Sequence, residues 1–522
     1  SAALHPGASS VVWSGGDYND IPQATRDALN GAVTASVSES NTDTNNQGSV
    51  GWEFKLPDHL FDFLAKGQTL TLIYDVTVTD NNGLSSTKQI TVQIGAANDQ
   101  PVISVIDNGA AVKEDVDPVG GILIDHGSVT FPDADLTDTH TAHVTYNNDA
   151  AGSAGVSPAL ALALATALTV PSSALAAGDH DFNWDFALDT NLIQYLAEGE
   201  TITATYTITV KDNSNNSNDT SVAKTVTVTI TGTNDLPTIS ITNPATDTEG
   251  NTGTPDVAVV TVADHVSVSD VDASDVKTPY AGGLAFDAVN SSGPAPAGGS
   301  LSDLFTIDPV TGKISYDRAA FDYLAGGEHV TAVFTFNVSS GPDTIQKSIT
   351  VTIDGANDAP VIAVTDPAHD TEGNTGTPDL AVVTVADHVS VSDVDASDVK
   401  TPYAGALSFD AANSNGPAPA GGSLADLFTV DPVTGKISYD RAAFDYLAAG
   451  EHVTATFTFD ASSGPDTVQK SITVTIDGEN DAPTVAAPLT ITTQEGNAPV
   501  VRDLLAGASD VDNSDALSVT NI

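Results

Sequence analysis

The chain has 522 residues, 40% of them apolar, and its 69 Asp and Glu against 16 Lys and Arg leave a net charge of −53. That length exceeds what one core can organise and suits about four domains of roughly 100–130 residues, while so negative a field repels nucleic acid and anionic membranes and attracts cations. There is no cysteine to form a disulfide, no run of 18 apolar residues to make a membrane helix, and too much apolar content in strand-like patterns for wholesale disorder.

Residues 1–97 read as the C-terminal part of a β-sandwich repeat. Residues 70–79 (LTLIYDVTVT) and 89–94 (QITVQI) alternate as half-buried strands do. Asp80-Asn81-Asn82-Gly83 between them is turn chemistry, which makes the pair a hairpin with a longer loop. Residues 98–233 form a complete repeat that closes on a second hairpin, 201–211 with 223–230. Within it, residues 159–170 (ALALALATALTV) give a mixed signal: alternating leucines favour a strand and the alanines a helix, and a strand is expected.

Residues 234–356 and 357–479 are near-duplicates, with 258–282 repeated unchanged as 381–405. A helical turn is expected over 317–325 (DRAAFDYLA), capped by Asp317, with Phe321 and Leu324 on its buried side. Residues 480–522 open a further repeat. The absence of Met, at position 1 included, reads as a segment of something longer or a processed product. β-Branched density, Pro/Gly punctuation and short strands make the fold class all-β: tandem Greek-key β-sandwich domains in a linear rod.

Each expected boundary carries an Asn-Asp pair. Asn98-Asp99, Asn234-Asp235, Asn357-Asp358 and Asn480-Asp481 lie 136, 123 and 123 residues apart. Each is followed by an Asp-x-Asp-x-x-Asp: Asp133, Asp135 and Asp138; Asp270, Asp272 and Asp275; Asp393, Asp395 and Asp398; Asp510, Asp512 and Asp515. Carboxylates two apart on extended chain share a side. The repeat before each pair offers a Glu near its start and another in a loop before its last hairpin: Glu114 and Glu200, Glu249 and Glu328, Glu372 and Glu451. In a Greek-key sandwich these loops lie at the same end as the exit segment, so Glu249, Glu328, Asn357, Asp358, Asp393 and Asp395 converge. Carboxylates crowded in this way are costly without a cation, and numerous oxygen-only ligands suit Ca²⁺ better than Mg²⁺. A merely solvated acidic surface is the competing reading.

The closing pattern of strand, turn, strand and Gly-x-Asn-Asp-x-Pro, preceded by Tyr-Leu-Ala-x-Gly-Glu, resembles the VCBS repeat of bacterial surface and RTX-type adhesins, related to cadherin-like domains. The resemblance covers about residues 98–483 and implies Ig/cadherin-like sandwiches with calcium between domains. It implies ligand roles for Glu249, Glu328, Asn357, Asp358, Asp393 and Asp395. The first boundary departs from the pattern: Gln68 stands where a Glu is expected, Lys66 is nearby, and the upstream Glu is missing.

The function expected is a structural extracellular region, a calcium-stiffened rod or fibre for bacterial adhesion, biofilm or cell–cell contact. Its partners would be neighbouring domains, copies of the same protein, or cell-surface glycans and matrix. The alternatives are an array of carbohydrate-binding modules, for which Trp13, Trp52 and Trp184 are the candidate stacking residues, and an accessory region of a secreted enzyme. Nothing argues for catalysis: Gly312-Lys313 reads as a β-turn rather than a phosphate loop. The incomplete repeats at the two ends read first as a window cut from a longer array; the alternative is head-to-tail strand complementation between 480–522 of one molecule and 1–97 of the next, with Glu495 supplying the missing ligand.

Overall fold

The computed structural model describes residues 2–4, 10–39, 48–80, 82–250, 254–373, 377–496 and 498–521. Asn81 of the expected turn lies outside the described residues. The chain divides into two compact units: Ser1–Ile239 with Val268–Thr278 and Ser339–Thr344, and Ser240–Ser267 with Pro279–Val338 and Ile345–Ile522.

In the first unit, strands Thr69–Thr79 and Ser85–Gly95 form the expected hairpin, in register from Thr69 opposite Gly95 to Thr79 opposite Ser85. The second strand starts earlier than its apolar residues indicate. Hydroxyl pairs at Thr77–Thr87 and Thr79–Ser85, both 2.8 Å, accompany the ladder's polar end. Leu70, Leu72 and Tyr74 alternate into a core with Trp13, Leu29 and Phe63.

Residues 98–233 build a two-sheet sandwich. One sheet runs Leu168–Thr169, Asp181–Asp189, Ile122–Thr130, Val105–Ile106. The other runs His140–Tyr146, Thr201–Asp212, Lys224–Thr231, Gly109–Lys113, its last pair parallel. Trp184, Phe131, Phe186 and Tyr206 fill the space between them.

The strand expected over 159–170 is corrected. Pro158–Ala167 is an α-helix, and a strand occupies only Leu168–Thr169. Ser157 accepts the Leu160 N–H at the N-cap and Pro158 supplies the first turn. Leu160 and Leu164, four apart, are fully buried whereas Leu162 is 76% exposed. The leucine alternation therefore concealed a helical stripe, Leu160 and Leu164 facing the core and Leu162 the solvent.

In the second unit, strands Leu380–Thr384, Lys436–Asp440 and Phe428–Asp431 form one sheet. The facing sheet runs Asp370–Thr371, Asp466–Asp477, His452–Ser463, Lys400–Phe409. Asp370–Thr371 lies parallel to Asp466–Asp477, as Asp247–Thr248 does to Asp343–Asp354. The expected helical turn is a short 3₁₀ segment, Arg318–Phe321. Asp317 accepts the Ala319 N–H at its start, and Phe321 and Leu324 are buried. Gly312 sits at φ +69° in the Asp308–Lys313 turn, as the β-turn reading requires.

Trp13 and Trp184 are core residues; Trp52 is 49% exposed. No described helix is long and apolar enough to cross a membrane.

Candidate metal centres

The second unit holds two carboxylate clusters built alike. Asp247–Thr248 runs parallel to the closing strand, and this delivers Glu249 beside the Asn-Asp segment, where its Oε1 accepts the Ala356 N–H at 2.6 Å. From the other side, Asp395 Oδ2 accepts the Asp358 N–H at 2.9 Å, and Asp393 Oδ1 accepts the Asp395 N–H at 3.3 Å. Lys400 Nζ donates to the carbonyls of Asp395 and Asp398 at 3.2 and 3.3 Å, closing the loop from behind without neutralising its carboxylates directly.

One carboxylate oxygen each from Glu249, Asp358 and Asp395 lies within 4.8 Å of the others, and the same holds for Asp393, Asp395 and Asp398. Asp395 belongs to both sets and is fully buried. Glu249 Oε2, Asp393 Oδ2, Asp395 Oδ1 and Asp398 Oδ2 are buried without a hydrogen-bond partner. Burial, then the charges of Asp358, Asp322 and Asp395, push Glu249 up to about 7. Asp358 and Asp395 are also raised, chiefly by burial. Buried anionic oxygens with no donor are costly, and a cation is what would satisfy them.

The second cluster gathers Glu372, Asp481 and Asp512 within 4.8 Å. Glu372 Oε1 accepts the Glu479 N–H at 2.7 Å, Asp512 Oδ2 accepts that of Asp481 at 2.9 Å, and Asp510 Oδ1 that of Asp512 at 3.3 Å. Glu372 is pushed up to about 7 by burial and then by Asp481, Asp512 and Asp445.

In the first unit, Thr233 N–H donates to Glu114 Oε2 at 3.2 Å and Asp235 N–H to Asp272 Oδ2 at 2.9 Å, with Asp270 Oδ1 accepting the Asp272 N–H. Burial raises Glu114 to about 7 and Asp272 to about 6. Asp275 is raised as well, by burial and then Asp270. Gln194 Nε2 donates to Glu114 Oε1 at 2.7 Å, so an amide replaces one of the carboxylates found in the second unit.

Around Asn98, Asp135 Oδ2 accepts the Asp99 N–H at 2.9 Å and Asp133 Oδ1 the Asp135 N–H at 3.2 Å. Burial and then Asp133 push Asp135 up to about 7. Buried His140 lies 2.8 Å from Asp133 Oδ2, where two other copies have Lys277 and Lys400. Gln68 Oε1 accepts from Trp13 Nε1 at 2.9 Å and from the Ala65 N–H at 3.1 Å, making it part of the local scaffold.

The loop glutamates each carry one hydrogen bond within their own turn. Glu200, Glu328 and Glu451 each accept a backbone N–H three residues upstream, from Ala197, Ala325 and Ala448 at 3.1, 3.0 and 3.1 Å, and so close their own turns. Asp322, not singled out from the sequence, is buried with both carboxylate oxygens lacking a hydrogen bond, and its charge raises both Glu249 and Asp358. The signal for it was recurrence: Phe-Asp-Phe/Tyr-Leu-Ala stands at 61–65, 321–325 and 444–448. Also unanticipated are Asp212, Asp343 and Asp466, whose Oδ2 atoms accept from the side-chain amides of Asn98, Asn234 and Asn357 at 3.1, 3.0 and 3.0 Å.

No family model and no curated protein matches the chain. Among solved structures it is similar to the protocadherin gammaB4 extracellular domain, at 16% identity and a TM-score of 0.33 over 94% of this chain and 63% of that one. It is similar to protocadherin gamma B2 extracellular cadherin domains 1–5, at 15% identity and 0.34 over 92% and 77%. Drosophila N-cadherin EC1-4 follows at 12% and 0.25 over 86% and 92%. The chain thus spans 63% of the first of these, and no activity follows from likeness at this level.

Proposed function

We propose that the chain is a non-catalytic array of tandem β-sandwich repeats, bounded near 97/98, 233/234, 356/357 and 479/480, which binds structural calcium at its Asn-Asp segments. The observation that carries this reading is the meeting of Glu249, Asp358 and Asp395, with Glu249 Oε2 and Asp395 Oδ1 buried and unpartnered. The donors present fit the ion: carboxylates with carbonyls nearby, no nitrogen or sulfur, and more oxygens than octahedral Mg²⁺ takes from protein. Glu249, Asp322, Asp358 and Asp395 would hold one ion; Asp393, Asp395, Asp398 and Asn357 would hold another. Glu114 with Asp235, Asp270, Asp272 and Asp275, and Glu372 with Asp481, Asp510 and Asp512, would act likewise. Asn98, Asp99, Asp133 and Asp135 would form a further site, and Asn234 and Asn480 would contribute through their carbonyls.

When bound, calcium supplies positive charge where carboxylates otherwise repel, and it stabilises the folded form by mass action. A rod stiffened in this way suits projection or cohesion outside a bacterial cell, as the resemblance to surface-adhesin repeats implies. The test is titration calorimetry alongside small-angle scattering. Calcium should bind at more than one site and lengthen the maximum dimension relative to chelator. Equal dimensions and no binding heat in both buffers would overturn the proposal.

A further inference from the structure

Three repeats carry the same short segment before their last hairpin: Ile193-Gln194-Tyr195-Leu196-Ala197, Phe321-Asp322-Tyr323-Leu324-Ala325 and Phe444-Asp445-Tyr446-Leu447-Ala448. Their backbones do the same thing. The carbonyls of Tyr195, Tyr323 and Tyr446 accept the N–H groups of Ala273, Ala396 and Asn513 at 3.1, 3.0 and 3.0 Å. Each of those donors directly follows the second Asp of an Asp-x-Asp-x-x-Asp. The side chain one position before each tyrosine therefore stands at the carboxylate cluster. Gln194 bonds to Glu114 there, and the charges of Asp322 and Asp445 raise Glu249 and Glu372.

The exchange of Asp for Gln changes how the glutamate is satisfied. Glu114 is fully buried; its Oε1 accepts from Gln194 Nε2 at 2.7 Å and its Oε2 from the Thr233 N–H at 3.2 Å. Glu249 and Glu372 accept one backbone N–H each through Oε1, and their Oε2 atoms are buried without a hydrogen-bond partner. Asp322 adds two more buried oxygens without a hydrogen bond. Burial raises Glu114 and Glu249 alike, to about 7, so the difference lies in what meets the second oxygen and not in depth. The grouping differs as well. Glu249 with Asp358 and Asp395, and Glu372 with Asp481 and Asp512, come within 4.8 Å, whereas among the described residues Glu114, Asp235 and Asp272 form no such group.

A cation gains most where it displaces nothing. At Glu249 it meets anionic oxygens that lack a donor, and each added carboxylate strengthens its hold. At Glu114 it must displace a charge-assisted hydrogen bond, and the residue that surrenders the bond is neutral.

We infer, resting on the calcium reading above, that the residue at 194, 322 and 445 sets the calcium affinity of its cluster, and that Gln194 makes the Glu114 cluster the weak one. The Gln194 amide is a built-in substitute for the ion. As calcium rises, the clusters at Asn357 and Asn480 fill first and the one at Asn234 fills last. Without calcium the Glu114 cluster keeps its arrangement, while those of Glu249 and Glu372 are strained by repulsion.

Two reciprocal substitutions in the 522-residue chain test this, read by calcium titration calorimetry and by melting in chelator. The parent should show a tight and a weak class of calcium heat, about tenfold or more apart in affinity. Gln194→Asp should strengthen the weak class by about tenfold or more and lower the melting temperature in chelator, because an anion replaces the donor to Glu114. Asp322→Gln should move calcium from the tight class to the weak one and raise the melting temperature in chelator. Either substitution carries the test if the other fails to fold. Calcium affinities and chelator melting that neither substitution moves overturn the inference and leave the calcium reading standing. A parent that binds no calcium is instead a failure of that reading, and the inference falls with it.

Discussion

Asp395→Asn provides the sharpest test of the crowded carboxylates, because its effect should change sign with calcium. The substitution keeps the shape and leaves an oxygen to accept the Asp358 N–H, now 2.9 Å from Asp395 Oδ2. In the metal-free chain it removes a charge within 4.8 Å of Glu249 and Asp358, and of Asp393 and Asp398. At 4.8 Å and an effective dielectric of about 20, a pair of full charges repels by about 3.5 kcal/mol. Partial protonation of Glu249, pushed up to about 7, and solvent around Asp358 reduce this to roughly 2 kcal/mol of net relief. For a domain of this size that corresponds to about 5–10 °C in melting temperature. Calorimetry in chelator should therefore show the repeats around Asn357 melting higher in the variant. In calcium the same variant should lose affinity by about tenfold or more, each factor of ten being about 1.4 kcal/mol, and melt lower than the parent. A variant that melts lower under both conditions would mean that Asp395 serves only as a hydrogen-bonding post, and the repulsion argument would be wrong.

Acidity should substitute for the ion. Glu114, Glu249 and Glu372 rise from 4.5 to about 7 and Asp135 from 3.8 to about 7. A carboxyl group raised in the folded state contributes stability that is whole below its ordinary value and lost as pH climbs through about 7. The melting temperature in chelator should therefore fall between about pH 4.5 and 7, and saturating calcium should remove the fall; a flat or rising profile in chelator would contradict the cause assigned. Asp322→Asn should lower calcium affinity, whereas Glu328→Gln, which keeps an oxygen to accept the Ala325 N–H, should cost about 1 kcal/mol or less and leave stoichiometry unchanged. Equal calorimetric effects of the two would show that the clusters are drawn wrongly. Leu160→Ala, deep in the core of residues 98–233, should cost about 2–5 kcal/mol in chemical denaturation; a neutral result would return that segment to the surface.

The strands were written plainly in the chain because a two-residue period maps directly onto a two-faced sheet: Leu70, Leu72 and Tyr74, and Ile202, Ala204 and Tyr206, alternate inward as their spacing demands. The Asn-Asp and Asp-x-Asp-x-x-Asp copies were legible for a simpler reason, being repeated. Local pattern failed at residues 158–167, where period two and period 3.6 both fit the leucines and only burial against the Trp184 core chose between them. It also left Asp322 unremarked beside Glu328. Both stand near one turn, but a side chain that folds back onto its own backbone is satisfied locally, while one held in the interior without donors is left for a ligand. Composition and repetition thus determined that this is an acidic string of β-sandwich repeats. Which glutamate meets which Asn-Asp segment was decided by contacts between residues more than a hundred positions apart, such as Glu249 with Ala356, and only the folded chain brings such residues together.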